Sequence, residues 1–131
     1  MKKIPQEALL GCAIACTASR VGLSYKTMKR YFDNAKYKEK SGGFYNRDIV
    51  KALDKLGVNT TVLSMRRYGK KYFKTGTIVF VGYSAQFPAG HFLLKTKKGW
   101  MDSWINYLEL PIRAGYRKKL PGTPEWIILI S

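Results

Sequence analysis

A single α+β domain, helices first and an antiparallel sheet after them, is the fold class this sequence predicts. Three observations predict it. Apolar residues recur at helical spacing up to Gly57, and β-branched runs replace that pattern afterwards. The 131 residues are 46% hydrophobic, enough for one compact core and not for two. No internal repeat and no interdomain linker breaks the chain, so residues 1–131 are expected to form one domain.

The elements follow in order. Cys12 to Val21 reads as a helix stopped by Gly22. Its early apolar residues, Ala13, Ala15 and Ala18, are small and let a helix sink tightly into a core. Ser24 is a predicted N-cap for a second, shorter helix reaching Phe32. Ser41-Gly42-Gly43 predicts a turn. Asn46 is a predicted cap for a third helix, Arg47 to Leu56, in which Ile49, Val50, Leu53 and Leu56 keep helical spacing and Gly57 is the stop. Val58 to Ser64 then predicts a strand, and Thr77 to Tyr83 a second one apolar enough to be central. His91 to Thr96 predicts a third, and Lys97-Lys98-Gly99 a tight turn into Trp100 to Trp104. Pro111 to Pro124 reads as an irregular basic connection, and Trp126 to Ile130 as the last strand.

Charge narrows the classes of partner. Lys and Arg number 24 against 8 Asp and Glu, a net charge of +16. Runs occur at Arg66-Arg67, Lys70-Lys71, Lys97-Lys98 and Arg117-Lys118-Lys119. A field of that sign attracts polyanions: nucleic acid, anionic cell wall, membrane surface or acidic protein. The plainer reading of any one run is a solvated surface that keeps the protein soluble. Aromatic residues make up 14% of the chain, which excludes a disordered basic tail.

Two cysteines make no disulfide framework. Cys12 and Cys16 lie four apart on one helix, where bridging geometry is poor, so both are expected reduced. That points to a reducing, cytoplasmic compartment; a secreted or virion-associated location stays open. Lys2-Lys3 followed by Leu9-Leu10-Gly11-Cys12 resembles a lipoprotein signal, but Pro5, Gln6 and Glu7 leave too few residues for its apolar stretch. No run approaches the length of a transmembrane helix.

Four residues carry a possible chemistry. Cys12 falls at the first turn of a predicted helix, where partial positive charge and unpaired N–H groups favour a thiolate. Those N–H groups can also bind the oxyanion of a tetrahedral intermediate, and Gln6, six residues earlier, can add a side-chain N–H. His91, the only histidine, can take and return the proton. Asp102, across the predicted hairpin, can fix its tautomer. Each alone has a plain structural reading: a buried thiol, a core imidazole, a turn carboxylate. Their order, and the glycine before both Cys12 and His91, carry the weight. The chemistry needs no metal and no cofactor, and its substrate is a protein or peptide.

These residues resemble a family. Gln6-x5-Cys12-Ala13-x-Ala15-Cys16 looks like the N-terminal motif of papain-like cysteine peptidases of the C39, bacteriocin-processing type. Gly90-His91-Phe92-Leu93-Leu94 resembles the strand that bears their general base. Asp102-Ser103-Trp104 is similar to the segment that holds their third member. The resemblance spans roughly residues 4 to 105. It implies a minimal papain-like fold with Cys12 as nucleophile, Gln6 in the oxyanion hole, His91 as base and Asp102 as orienter. Two departures stand out. Ala13 replaces the family's glycine after the nucleophile, which narrows the approach to the thiol. These residues also hold no transporter segment of the kind bacteriocin exporters carry, so a double-glycine leader is not an assured substrate. Two rivals remain beside the peptidase: a cell-wall amidase or endopeptidase on the same fold, and an inactive papain-like scaffold that binds nucleic acid or protein.

Overall fold

Seven consecutive residues, Ala13 to Ser19, are buried, and the rest of the fold is arranged around the helix that holds them. The computed structural model describes residues 1–131. Its first helix, α1, spans Cys12–Val21 and ends at Gly22, whose φ of 80° lies in the left-handed region open to glycine. A helix buried on all sides must pair its hydroxyls internally. Thr17 donates to the Ala13 carbonyl at 2.8 Å, and Ser19 to the Lys2 carbonyl at 2.5 Å.

The remaining helices are short. α2 spans Tyr25–Lys29, α3 Ala35–Lys38 and α4 Asn46–Lys55. Ser24 caps α2 as expected, its hydroxyl accepting from the Thr27 N–H at 3.1 Å. The helix stops at Lys29, short of the predicted Phe32, and α3 was not predicted. Asn46 is the first residue of α4 and not its cap. The residue before it, Tyr45, donates its N–H to the Asp48 carboxylate at 2.7 Å, so the acid in the first turn does the capping.

Six strands follow: β1 Thr60–Ser64, β2 Ile78–Val81, β3 His91–Thr96, β4 Gly99–Asp102, β5 Gly115–Arg117 and β6 Pro124–Ile130. They form one antiparallel sheet in the order β1-β6-β2-β3-β4-β5. β3 has the predicted bounds. Three short elements were missed. A short helix, α5 (Met65–Tyr68), and a 3-10 turn (Lys70–Tyr72) lie between β1 and β2, and β5 lies inside the connection read as irregular. Three residues are too few for alternation to show.

Alternate residues of the strands face opposite ways. Ile78, Leu94, Met101 and Ile128 join α1 and the Ile49 and Leu53 face of α4 in the main core. On the other face Val79, Val81, Leu93 and Trp100 make a smaller cluster, covered by Phe73 and Leu120. Arg20 ties the end of α1 to the sheet, donating to the carbonyls of Gly76 at 2.9 Å and Ile130 at 3.0 Å. No helix is long and apolar enough to cross a membrane.

Candidate active site

Cys12 opens α1 with its backbone donors unspent. The helix has no capping side chain, and the N–H groups of Cys12 and Ala13 have no backbone acceptor. The loop before it is held from two sides. Leu10 donates its N–H to the Glu39 carbonyl at 2.8 Å. A Cβ on Gly11 would collide with the Tyr25 hydroxyl, so only glycine lets the loop pass. That hydroxyl donates to the buried Glu39 carboxylate at 2.7 Å, and Lys29 pairs with the other carboxylate oxygen.

His91 begins β3. Gly90 before it has φ 76°, and a Cβ there would stand 2.8 Å from the Val81 carbonyl and strike the Phe80 ring. The imidazole is buried. Phe87 stacks on one face with ring centres 4.0 Å apart and planes 2° from parallel. Nε2 meets Asp102 Oδ1 at 2.7 Å, which leaves Nδ1 to exchange a proton with Cys12 in the cavity both residues line.

Asp102 is fully buried. β3 and β4 pair with Leu94 opposite Met101, so Asp102 lies diagonally across from His91, within reach on the same face. Its Oδ1 also accepts from the Trp104 N–H at 2.9 Å, and Oδ2 accepts from Arg117 Nε at 2.6 Å. Burial by itself would raise the carboxyl. The bonds from His91 and Arg117 and the Trp104 N–H outweigh it and hold the group below the ordinary aspartate value.

Burial also pulls His91 downward, but the negative charges of Cys12 and Asp102 win and raise it to about 9. An unfolded histidine titrates near 6.5. The protonated ring therefore stabilises the folded state fully below about pH 6.5, and this contribution is lost as pH rises toward 9. Thermal unfolding from pH 6 to 10 is expected to show such a loss in the wild type and a smaller one in His91→Ala. Parallel curves would mean that His91 carries no partnered charge.

Gln6 joins the two halves of the site. It is buried, and its Oε1 accepts from Ser103 Oγ at 2.7 Å while its backbone N–H reaches the Ser103 carbonyl at 3.1 Å. The loop before Cys12 is thus clamped to the residue after Asp102. Its Nε2 donates to the carbonyls of Ala8 at 2.9 Å and Leu9 at 3.0 Å. Cys16 points elsewhere. Its thiol donates to the Phe92 carbonyl at 3.4 Å, and burial first, then the charges of Cys12 and Asp102, push it well above the ordinary value.

Gln6, Cys12 and His91 line one cavity of about 380 Å³. Most of its remaining wall is apolar, with Leu9, Leu10, Phe44, Phe80 and Trp104 among the lining residues. The geometry therefore brings the four residues singled out in the sequence together: three on the cavity wall, and Asp102 bonded behind His91. It adds two that sequence reasoning missed. Phe87 carried no periodic signal in its Pro- and Gly-rich loop. Arg117 sits in a basic run where nothing distinguishes it from Lys118.

No protein-family model matches the chain, and no curated protein matches it. Among solved structures it is similar to the peptidase domain of Streptococcus ComA, described as a bi-functional ABC transporter involved in a quorum sensing pathway. The two share 15% identity at a TM-score of 0.58, with 98% of this chain and 96% of that one covered. At that identity the likeness is one of fold. The α+β architecture, helices packed on an antiparallel sheet, is the fold shared with that peptidase domain.

Proposed function

We propose that this chain is a cysteine peptidase that hydrolyses amide bonds of protein or peptide substrates through Cys12, His91 and Asp102. The observation that carries the reading is the placement of His91. Its Nε2 is bonded to a buried carboxylate at 2.7 Å, while the ring borders the cavity that holds Cys12. A base needs that arrangement to present one fixed tautomer to a nucleophile.

The steps follow from the geometry. The Cys12 thiol gives its proton to His91 Nδ1, and the sulfur attacks the scissile carbonyl carbon. A C–S bond forms as the carbonyl π pair moves onto oxygen. The free N–H of Cys12 receives that oxyanion. Gln6 Nε2 adds a second donor once it releases one of its two carbonyl bonds. The C–N bond then breaks as the imidazolium proton passes to the leaving amine. Water, deprotonated by His91, attacks the thioester, and the carboxylate product departs as the thiol is restored. Phe87 against the ring limits water at the base. The apolar wall suits a substrate with a bulky apolar side chain beside the scissile bond.

Brief alkylation with iodoacetamide near neutral pH, followed by peptide mass mapping, tests the nucleophile. Cys12 is half-buried and Cys16 fully buried. Labelling is expected at Cys12 alone. An unreactive Cys12, or equal labelling of both, would overturn the assignment.

A further inference from the structure

The sheet carries a second surface that the peptidase chemistry does not use. Five exposed cations lie in the segment from Arg66 to Lys74, Lys97 and Lys98 cap the β3–β4 turn, and Lys118 and Lys119 follow β5. None of these segments contains Asp or Glu, and none of these cations takes part in an ion pair. The helical layer differs. There Asp33 pairs with Lys51 and Lys55, Glu39 with Lys29, and Asp48 with Lys38. Both parts of the chain are basic, residues 1–58 with 12 Lys and Arg against 5 Asp and Glu and residues 59–131 with 12 against 3. What sets the sheet side apart is that these exposed runs carry no acid and no ion pair.

The three segments form one stripe. Phe73 and Leu120 cover the same cluster of Val79, Val81, Leu93 and Trp100. Phe73 meets the Trp100 ring at 5.2 Å, and Lys95 lies over that ring at 5.1 Å. The Gly76 N–H bonds to the Lys95 carbonyl at 2.8 Å, joining the first segment to β3. Trp100 pairs with Arg117 across β4 and β5, which brings Lys118 alongside. The stripe runs diagonally. Ser64, before its first cations, is level with Trp126, Phe80 and Phe92. The segment returns to the level of the β3–β4 turn by Gly76, and Lys118 follows β5 at that turn end on the opposite sheet edge. Five strand spacings give a length of about 24 Å, roughly seven phosphates of a nucleic-acid strand.

We propose that this stripe binds the phosphate backbone of nucleic acid, without reading its sequence. Three features favour that occupant. Cations are pre-placed on aromatic faces, Arg67 over Tyr68 at 5.6 Å and Lys71 over Tyr72 at 5.3 Å, which lowers the ordering cost of holding them toward a phosphate. Those covered, half-buried rings are not open to stack on bases, so contact is with the backbone. And no exposed large apolar side chain lies in the stripe, so a protein partner would find no apolar anchor there. The β3–β4 turn is at the far end of the hairpin from His91, about 17 Å along β3.

The test is fluorescence anisotropy with a labelled 24-base-pair DNA duplex at 50 and 200 mM salt. Seven phosphate contacts predict a loss of about 6,000-fold between those conditions. The triple variant Lys70→Glu, Lys71→Glu, Lys74→Glu is expected to bind at least about tenfold more weakly than Lys26→Glu, Lys36→Glu, Lys40→Glu, which changes net charge equally on the helical side. Thermal unfolding of both triples confirms that they fold. Equal weakening in the two triples would reduce the effect to net charge and overturn the proposal. So would the absence of binding at 50 mM salt, or equally tight binding of poly-glutamate.

Discussion

Cys12→Ala is expected to remove hydrolysis altogether while the protein still folds, and Cys16→Ala to keep most of it. A nucleophile acts as a unit with its base, so its loss forfeits the whole covalent route, on the order of 10⁴ or more in rate. Cys12 is half-buried at the cavity wall, so its removal opens no core void and should shift the thermal midpoint by at most a few degrees. Cys16 is fully enclosed, with one weak bond to the Phe92 carbonyl at 3.4 Å. Alanine there loses one buried sulfur, a cost of about 1 kcal/mol, and leaves the proton path of His91 intact. Cleavage of a denatured protein substrate and of peptidoglycan should be measured for both variants, which also separates the peptidase from the cell-wall amidase. Retained cleavage in Cys12→Ala would end the cysteine-peptidase reading. Loss in both variants, with folding preserved, would place the chemistry elsewhere.

The parts of the fold legible in the sequence were those with a long periodic signal or a fixed chemical demand. α1 and β3 match their predicted bounds because Gly22 stops the first in a left-handed turn and Gly90 admits the second where a Cβ would clash. The pairing of Cys12, His91 and Asp102 was legible because the Lys97-Lys98-Gly99 turn folds β4 back on β3 and leaves one register open to them. What was not legible depends on contacts distant in sequence. β5 is a three-residue strand whose place is set by the edge of β4. α5 rests on β1 and β6 and shows no apolar period of its own. Asp48 as the cap of α4, in place of Asn46, follows from which side chain can reach the Tyr45 N–H. The role foreseen for Gln6 was a donor to the substrate oxygen. Its clamp on Ser103 needs two chain ends to meet, and nothing local announces that.

Arg117→Met is expected to weaken both the fold and the catalysis, through Asp102. The carboxylate is fully buried, and Arg117 Nε at 2.6 Å is the only hydrogen bond to its Oδ2. The guanidinium gives Asp102 only this bond, and its Nη2 is buried with no partner at all. An arrangement that strands a donor is not one that maximises the pairing of Arg117; it serves the carboxylate. Methionine keeps the stem and removes the charge, leaving Asp102 with His91 as its one charged partner. Breaking a buried pair costs about 3 kcal/mol, somewhat less here because the arginine is partly exposed. The pH dependence has a definite sign. Asp102 is held below its ordinary value in the folded state, so its contribution is present above the unfolded value near 3.9 and is lost as pH falls through the lower folded value. Without Arg117 the folded value rises, and acid unfolding moves to higher pH. In catalysis Arg117 is a positioning residue that does not line the cavity. kcat should therefore fall by roughly tenfold or more while KM stays unchanged, and the titration of the His91 ring followed by NMR should shift with it. Arg117→Lys, which restores a cation without the fixed fork, should recover part of both effects. A purely structural arginine would lower stability and leave the titration of His91 where it was. That outcome, or an unchanged kcat in a folded Arg117→Met protein, would reduce Arg117 to packing.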